Sequence, residues 1–197
     1  MAAPIEIEKQ VVMVGYGGSG KTCLLHRSFS NTFVEQYIPT VFEDTRICRI
    51  INNKKISLLI LDTAGQDDYG RMVEINLSDA DCVVFCYAVN SRDSFEAVTS
   101  RYYDLLPNKP DQIKFLIGCK IDTREEGEVV STQEGIELAK KIGAKFFSET
   151  SSKNGNNCKE IFDEIFNIYG KSDIKLKKDK KKRSFMEKFF GYCGCGK

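Results

Sequence analysis

Eight consecutive residues, Gly15-Tyr-Gly-Gly-Ser-Gly-Lys-Thr22, form a G-x-x-x-x-G-K-[ST] pattern that can hold phosphate. Glycines let such a loop curl, so that backbone N–H groups and a helix N-terminus face phosphate oxygens. The lysine would reach the β- and γ-phosphates, and the threonine hydroxyl would bind Mg²⁺. A plain glycine-rich turn is the alternative, but here the pattern lies between a predicted strand and a predicted helix. We expect nucleotide contacts from Gly17, Gly18, Ser19, Gly20, Lys21, Thr22 and Cys23.

A second cluster, Asp62-Thr-Ala-Gly65, follows another predicted strand. A carboxylate at a strand end can hold a water molecule that is bound to Mg²⁺, which places Asp62 near the metal. The backbone N–H of Gly65 can meet the γ-phosphate. These residues predict a metal and phosphate site next to the loop.

Two further clusters follow later strands and predict which base is bound: Cys119-Lys-Ile-Asp122 and Glu149-Thr-Ser-Ser-Lys153. A carboxylate there can accept hydrogen bonds from both N1 and N2 of guanine, whereas adenine has no matching pair of donors. We expect guanine to be bound by Cys119, Lys120, Asp122, Ser151, Ser152 and Lys153.

Short β-branched runs alternate with helical patterns along the chain, which predicts an α/β fold. Strands are predicted at Ile5–Val14, Thr45–Ile51, Lys55–Leu61, Cys82–Ala88, Phe115–Cys119 and Lys145–Phe147, and helices at Lys21–Ser30, Ser94–Leu106, Thr132–Ile142 and Cys158–Tyr169. Asn52 and Asn53 favour a hairpin between the second and third strands. The expected sheet is mostly parallel and covered by helices on both faces.

The composition indicates one globular domain, with 42% hydrophobic and 29% charged residues in a chain of 197. No apolar run reaches the roughly 18 residues of a membrane-spanning helix. The 8 cysteines lack zinc-ligand spacing, and the start of the chain lacks a secretory pattern, so we expect reduced cytosolic thiols.

Charge is distributed unevenly along the chain. Residues 1–170 hold 19 Lys+Arg and 25 Asp+Glu, net −6, whereas residues 171–197 hold 10 and 3, net +7. A nucleic-acid-binding protein would more often carry its positive charge on the folded surface. The pattern predicts an acidic body and a basic tail that meets an anionic partner separately.

Taken in order, the phosphate loop, the D-T-A-G-Q stretch at 62–66, an N-K-x-D-like box and an S-A-K-like box resemble the Ras superfamily of small GTPases. The match covers about residues 8–170. Within it, Tyr37-Ile-Pro-Thr-Val-Phe-Glu-Asp44 resembles the first switch of Rho proteins. The resemblance implies a P-loop NTPase fold, a six-stranded, mostly parallel sheet with one antiparallel strand, over residues 1–170, and a membrane-targeting tail over 171–197.

The resemblance also implies a Rho-like molecular switch that binds GTP and GDP with Mg²⁺. Thr40 would be the second protein ligand to the metal, Phe33 would pack on the guanine edge, and Tyr37 would cover the phosphates. Gln66 would orient the attacking water, which makes Gln66, Lys21 and Thr40 the expected catalytic residues. Hydrolysis would be slow without an arginine supplied by an activating protein.

Two departures from the Rho pattern matter most. Asp122 and Ser151 are 29 positions apart, which leaves no room for the insert helix of Rho proteins. Cys119 replaces the usual Asn or Thr of the guanine box, and this change affects nucleotide affinity directly. The segment Met72–Leu77 and the absence of tryptophan also differ from Rho proteins.

Other functions are possible on the same residues. A constitutively GTP-loaded binding module would more often lose Gln66 or Gly17, and both are present. A P-loop enzyme with another substrate has no use for the guanine boxes, and a Ras- or Rab-like switch in another pathway stays open. As partners we expect exchange factors, activating proteins and effectors at the two switches, with actin signalling implied only by the Rho resemblance.

The tail carries the signals for membrane attachment. Lys171–Arg183 holds 8 basic and 2 acidic residues and can lie against anionic lipid. Cys193 and Cys195 are the lipidation candidates, since a C-a-a-X box would need cysteine at Gly194. An untethered, solvated tail is the alternative. The predicted location is the cytoplasm and, peripherally, the cytosolic face of membranes.

Overall fold

The computed structural model describes residues 4–33, 42–63, 70–125, 127 and 130–171. Strands and helices alternate along these residues, as the sequence pattern predicts. The strands are β1 (Ile5–Val14), β2 (Phe42–Ile51), β3 (Lys54–Thr63), β4 (Cys82–Ala88), β5 (Ile113–Cys119) and β6 (Phe146–Glu149). The α-helices are α1 (Lys21–Ser30), α2 (Gly70–Asp79), α3 (Arg92–Ala97), α4 (Thr132–Ile142) and α5 (Cys158–Lys171).

The strands form one sheet in the order β2-β3-β1-β4-β5-β6. All neighbours are parallel except β2 and β3, which form the predicted hairpin. Asn52 and Asn53 turn the chain there with φ of 52° and 60°, a left-handed conformation that asparagine tolerates better than most residues. The prediction of a mostly parallel six-stranded sheet with one antiparallel strand is confirmed.

Helices cover both faces of the sheet and form two apolar cores. On one face, Val11 and Met13 of β1 pack with Leu24 of α1 and residues of α5. On the other face, Val12 and Val14 pack with residues of α2, α3 and α4. Successive side chains of a strand point to opposite faces of the sheet, so the four apolar residues at 11–14 contribute to both cores.

Two helical segments differ from the sequence prediction. Helix α2 was not predicted, because its apolar pattern toward the core is limited to Val73 and Leu77. The helix predicted over Ser94–Leu106 starts earlier and changes type, to a π-helical turn at Val98–Tyr102 and a 3₁₀ turn at Tyr103–Leu105. The hydroxyls of Thr99 and Ser100 both donate to the carbonyl of Glu96, a pattern that often bends helices.

The topology places the predicted site residues at one edge of the sheet. Because β1, β3, β5 and β6 run parallel, their carboxyl ends meet at the same edge. Strand β1 lies between β3 and β4, where the chain changes direction across the sheet, and such switch points are where α/β sheets bind ligands. Within the described ranges, no helix has the length and apolarity to cross a membrane.

Candidate functional site

The glycine-rich loop joins β1 directly to α1. Gly18 and Gly20 have φ of 75° and 104°, in the left-handed region that favours glycine. The N–H of Ser19 donates to the carbonyl of Tyr16 at 3.1 Å, which closes the loop. Gly20, at the N-cap of α1, has no side chain that could accept from the first N–H groups of the helix. Such a helix start fits the oxygens of a phosphate.

The side chain of Lys21 folds back over this loop. Its ammonium donates to the carbonyls of Gly15 at 2.8 Å and Tyr16 at 3.3 Å, and the residue is only 5% exposed. Burial lowers the pKa of Lys21, and the nearby carboxylate of Asp62 opposes that shift. A buried cation beside the N-terminus of a helix creates a positive site for an anion.

Thr22 and Asp62 bring oxygen atoms together beside the loop. The hydroxyl of Thr22 donates to Oδ2 of Asp62 at 2.5 Å, and Asp62 is fully buried near the end of β3. The next residue, Thr63, anchors β3 by donating to the carbonyl of Met13 at 2.7 Å. Hydroxyl and carboxylate oxygens are the ligands that Mg²⁺ prefers, so the donor set fits this metal.

The predicted guanine boxes lie against each other at the ends of β5 and β6. The hydroxyl of Ser151 donates to Oδ1 of Asp122 at 2.5 Å. A backbone bond of 3.1 Å from the N–H of Ile121 to the carbonyl of Thr150 runs alongside it. Ser151 is fully buried and therefore holds the carboxylate in a defined place. The structure thus brings together two boxes that are separated in the sequence.

Cys119 connects the base end of the site to the phosphate end. It is 2% exposed, and a Cβ built on Gly20 would lie 3.2 Å from its Cβ. A hydrogen bond from the thiol of Cys86 lowers the pKa of Cys119, and Thr150 acts in the same direction. The phosphate loop and the predicted guanine boxes therefore lie side by side at this edge of the sheet.

The remaining described site residues surround this centre. The carbonyl of Lys153 accepts a hydrogen bond of 3.4 Å from the guanidinium of Arg27 in α1. Ser152 is buried. Burial raises the pKa of the Cys23 thiol in α1. Phe33 follows α1 with 36% of its surface exposed. Gly17 is half-buried in the loop.

Several predicted residues lie outside the described ranges, and their roles stay predictions. They are Tyr37, Thr40, Gly65 and Gln66 near the phosphates, and Cys193 and Cys195 in the tail. The short spacing where Rho proteins have an insert helix corresponds to the link between the turn at Ile121–Thr123 and α4, which begins at Thr132. Residues 124–131 connect the two; residues 126, 128 and 129 lie outside the described ranges, and the absence of a Rho insert helix stays a prediction.

Sequence reasoning missed two contacts in this region. Arg124 forms an ion pair with Glu149, and Cys86 lies against Cys119. No motif spacing signals either pair, because each joins residues on neighbouring strands or loops that are distant in the chain. The strand alignment, in which Ala88 lies opposite Cys119, is the feature that brings Cys86 close.

The fold and the site together define a P-loop nucleotide-binding domain. Comparison with known proteins then identifies its family. The family model described as "Ras family" matches residues 10–170. The chain therefore belongs to the Ras family.

Curated relatives place it close to the Rho proteins. It is 34% identical to GTP-binding protein RHO1 of Candida albicans over 192 residues, covering 91% of this chain and 96% of the relative. It is 36% identical to the Ras-like GTP-binding protein RhoL of Drosophila melanogaster over 159 residues, covering 79% and 83%. It is 33% identical to GTP-binding protein rho1 of Schizosaccharomyces pombe over 170 residues, covering 80% and 84%. The resemblance to the Rho branch is confirmed.

Proposed function

We propose that this Rho-like small GTPase binds GTP and GDP at the sheet edge described above and switches between two forms as it hydrolyses GTP. The contact of Gly20 with Cys119 carries this proposal, because it joins the phosphate loop to the guanine boxes. The curated relatives named as GTP-binding proteins support it independently.

The phosphates would be held mainly by the loop backbone and by Lys21. The ammonium of Lys21 already lies among loop carbonyls, so binding requires it to exchange those partners for phosphate oxygens rather than to be ordered afresh. A charge-assisted bond of this kind is stronger than a bond to a neutral carbonyl. At the other end, both carboxylate oxygens of Asp122 would accept from N1 and N2 of guanine, while the hydroxyl of Ser151 also donates to Oδ1.

Mg²⁺ fits the oxygen donors of Thr22 and Asp62. When bound, the ion neutralises negative charge on the β- and γ-phosphates. Thr22 would bind the metal directly, Asp62 would hold it through water, and Thr40 would be the second direct protein ligand. The present bond between Thr22 and Asp62 keeps both oxygens at the place where this donor set is needed.

For hydrolysis, Gln66 would orient the attacking water, and Lys21 would stabilise charge that develops on the γ-phosphate. The guanidinium of Arg92 is engaged by Glu134 at 2.6 Å, so it is a poor source of that stabilisation. Hydrolysis is then slow until a regulator supplies an arginine, which is commonly worth about 10³–10⁵ in rate. Thr40 and Gly65 would bind the γ-phosphate and hold both switches until cleavage releases them.

Replacing the glutamine tests this assignment. Gln66→Leu should reduce hydrolysis stimulated by a Rho-type activating domain by about 10²-fold or more, with little change in GTP affinity. Single-turnover hydrolysis of bound GTP measures the rate, and Gln133→Leu, at an exposed position of α4, is the matched control. Equal stimulated rates in Gln66→Leu and the parent would remove the role given to Gln66 and favour a constitutively loaded binding module.

We propose further that exchange factors, activating proteins and effectors bind the two switch regions, and that the tail holds the protein at membranes. A single lipid chain binds a membrane only weakly, so a lipid on Cys193 or Cys195 would act together with the basic segment Lys171–Arg183. The expected location is the cytosolic face of a membrane. Signalling to actin is the pathway that the Rho relationship favours.

Fractionation of cells tests the tail. The double variant Cys193→Ser and Cys195→Ser should move most of the protein from the membrane fraction to the supernatant. Cys48→Ser is the matched control, because Cys48 is an exposed cysteine in the folded domain. Unchanged membrane recovery of the double variant would rule out lipid anchoring through these cysteines.

A further inference from the structure

Arg124 links three segments around the base end of the site. It follows the 3₁₀ turn Ile121–Thr123, which contains Asp122. Its guanidinium forms an ion pair with Glu149 and donates to the hydroxyl of Thr132 at 2.9 Å. A third, longer bond of 3.4 Å reaches the carbonyl of Val130. One side chain thus joins the Asp122 turn to β6 and to the start of α4.

Glu149 completes the link from the other side. Its second carboxylate oxygen accepts from the hydroxyl of Thr132 at 2.8 Å, and its carbonyl accepts from the side chain of Asn157 at 2.9 Å. Asn157 lies at the far end of the loop that carries Ser151, just before α5. Glu149 therefore fixes both ends of that loop.

The Arg124–Glu149 ion pair and the Asp122–Ser151 hydrogen bond join the same two segments of the chain. Arg124 lies two residues after Asp122, and Glu149 lies two residues before Ser151. The backbone bond from the N–H of Ile121 to the carbonyl of Thr150 is a third link between the same two segments. Three connections therefore hold the two guanine boxes at a fixed separation.

Burial distinguishes this pair from ion pairs on the surface. The Glu149 side chain is 13% exposed and the Arg124 side chain 30%, whereas in the Arg46–Glu8 pair the values are 53% and 75%. Exposed pairs contribute little, while pairs removed from water are weakly screened and are costly to break. Arg46 lies in the edge strand β2 and Glu8 in the central strand β1, and their ion pair touches neither guanine box.

We propose that Arg124 and Glu149 are positioning residues for guanine recognition, which hold the Asp122 turn against the Ser151 loop and so set the rate of nucleotide release. The inference rests on the proposed role of Asp122. Without the pair, the carboxylate of Asp122 would move relative to N1 and N2 of the base. The phosphate loop would keep its own contacts.

Comparing the release rates of GDP and inosine diphosphate distinguishes a role in positioning Asp122 from a role in the general stability of the domain. Inosine diphosphate lacks the 2-amino group of GDP, so it makes one bond fewer to Asp122. Arg124→Gln should release a fluorescent GDP analogue about 3–10-fold faster, and the matching inosine analogue should be affected less, which narrows the preference for guanine. Glu149→Gln, which keeps the side-chain shape, should show the same direction. Arg46→Gln is the matched control and should release both nucleotides at the parent rate.

The outcomes separate the two proposals. Faster GDP release with a narrowed guanine preference in both variants supports the positioning role. Unchanged GDP release, or equally faster release of both nucleotides, would overturn it while leaving the guanine site intact. If the parent protein itself showed no preference for GDP over ADP, the proposed function would fail first, and the inference with it.

Discussion

The phosphate end of the site is built from one short segment, whereas the guanine end is built from two segments that are far apart in the chain. Lys21 bonds to Gly15, six positions away, within a single strand, loop and helix. Asp122 bonds to Ser151, 29 positions away, across the ends of two strands. The first end therefore depends on local sequence, and the second depends on tertiary contacts. We expect changes at the phosphate end to affect all nucleotides equally, and changes at the guanine end to affect base selectivity.

The largest effect is expected at Lys21. Lys21→Met keeps the apolar stem but removes the buried ammonium. It should weaken the binding of GDP and of inosine diphosphate by the same factor, about 100-fold, which corresponds to the loss of a strong charge-assisted hydrogen bond. Equilibrium titration with both nucleotides measures the loss, with Lys141→Ala on the exposed face of α4 as control. A loss confined to GDP would mean that the phosphate end reads the base as well.

A smaller and more selective effect is expected at Asp122. Asp122→Asn should weaken the binding of GDP by about 30-fold, because a bidentate contact to a base contributes about 1–3 kcal/mol of discrimination. Xanthosine diphosphate should bind better to this variant than to the parent, because an amide can donate to the 2-oxo group of xanthine. Competition titration measures both constants, with Asp111→Asn as a surface control. Unchanged base preference would remove Asp122 from guanine recognition.

The smallest effect is expected at Cys119. A thiol is a weak hydrogen-bonding group, so Cys119→Asn should slow GDP dissociation by about 2–12-fold without changing the preference for guanine. Stopped-flow release of a fluorescent GDP analogue, with excess GTP and fixed Mg²⁺, measures the rate. Cys48→Asn, at an exposed cysteine, is the control. Identical or faster release from Cys119→Asn would show that packing by the buried thiol suffices.

The fold was predictable where the pattern is long and regular. The bounds of β1, β4, α1 and α4 match the prediction, because each has an unbroken apolar run or a clear apolar face. α4 also has a full capping box from Ser131 and Glu134. Helix α2 lacks such signals, and the π-helical turn after α3 depends on side-chain bonds from Thr99 and Ser100 that a periodicity does not reveal.

The residues of the candidate site could be proposed from the sequence, but the contacts between them could not. Motifs point to Lys21 and Asp122, because the chemistry of phosphate and guanine restricts the residue types at those positions. The pairing of Arg124 with Glu149 depends on how β6 lies beside the turn after β5, and common charged residues carry no such information. The contact of Cys86 with Cys119 likewise follows from strand alignment.

Identification of the nucleotide carried by the purified full-length protein tests the central claim most directly. The protein is isolated without added nucleotide, denatured, and its released nucleotides are separated by chromatography. A site that joins the phosphate loop to the Asp122 and Ser151 boxes predicts GDP or GTP at close to one per chain. Adenine nucleotide in that place, or a folded protein that carries no nucleotide and does not take up GDP with Mg²⁺, would contradict the account.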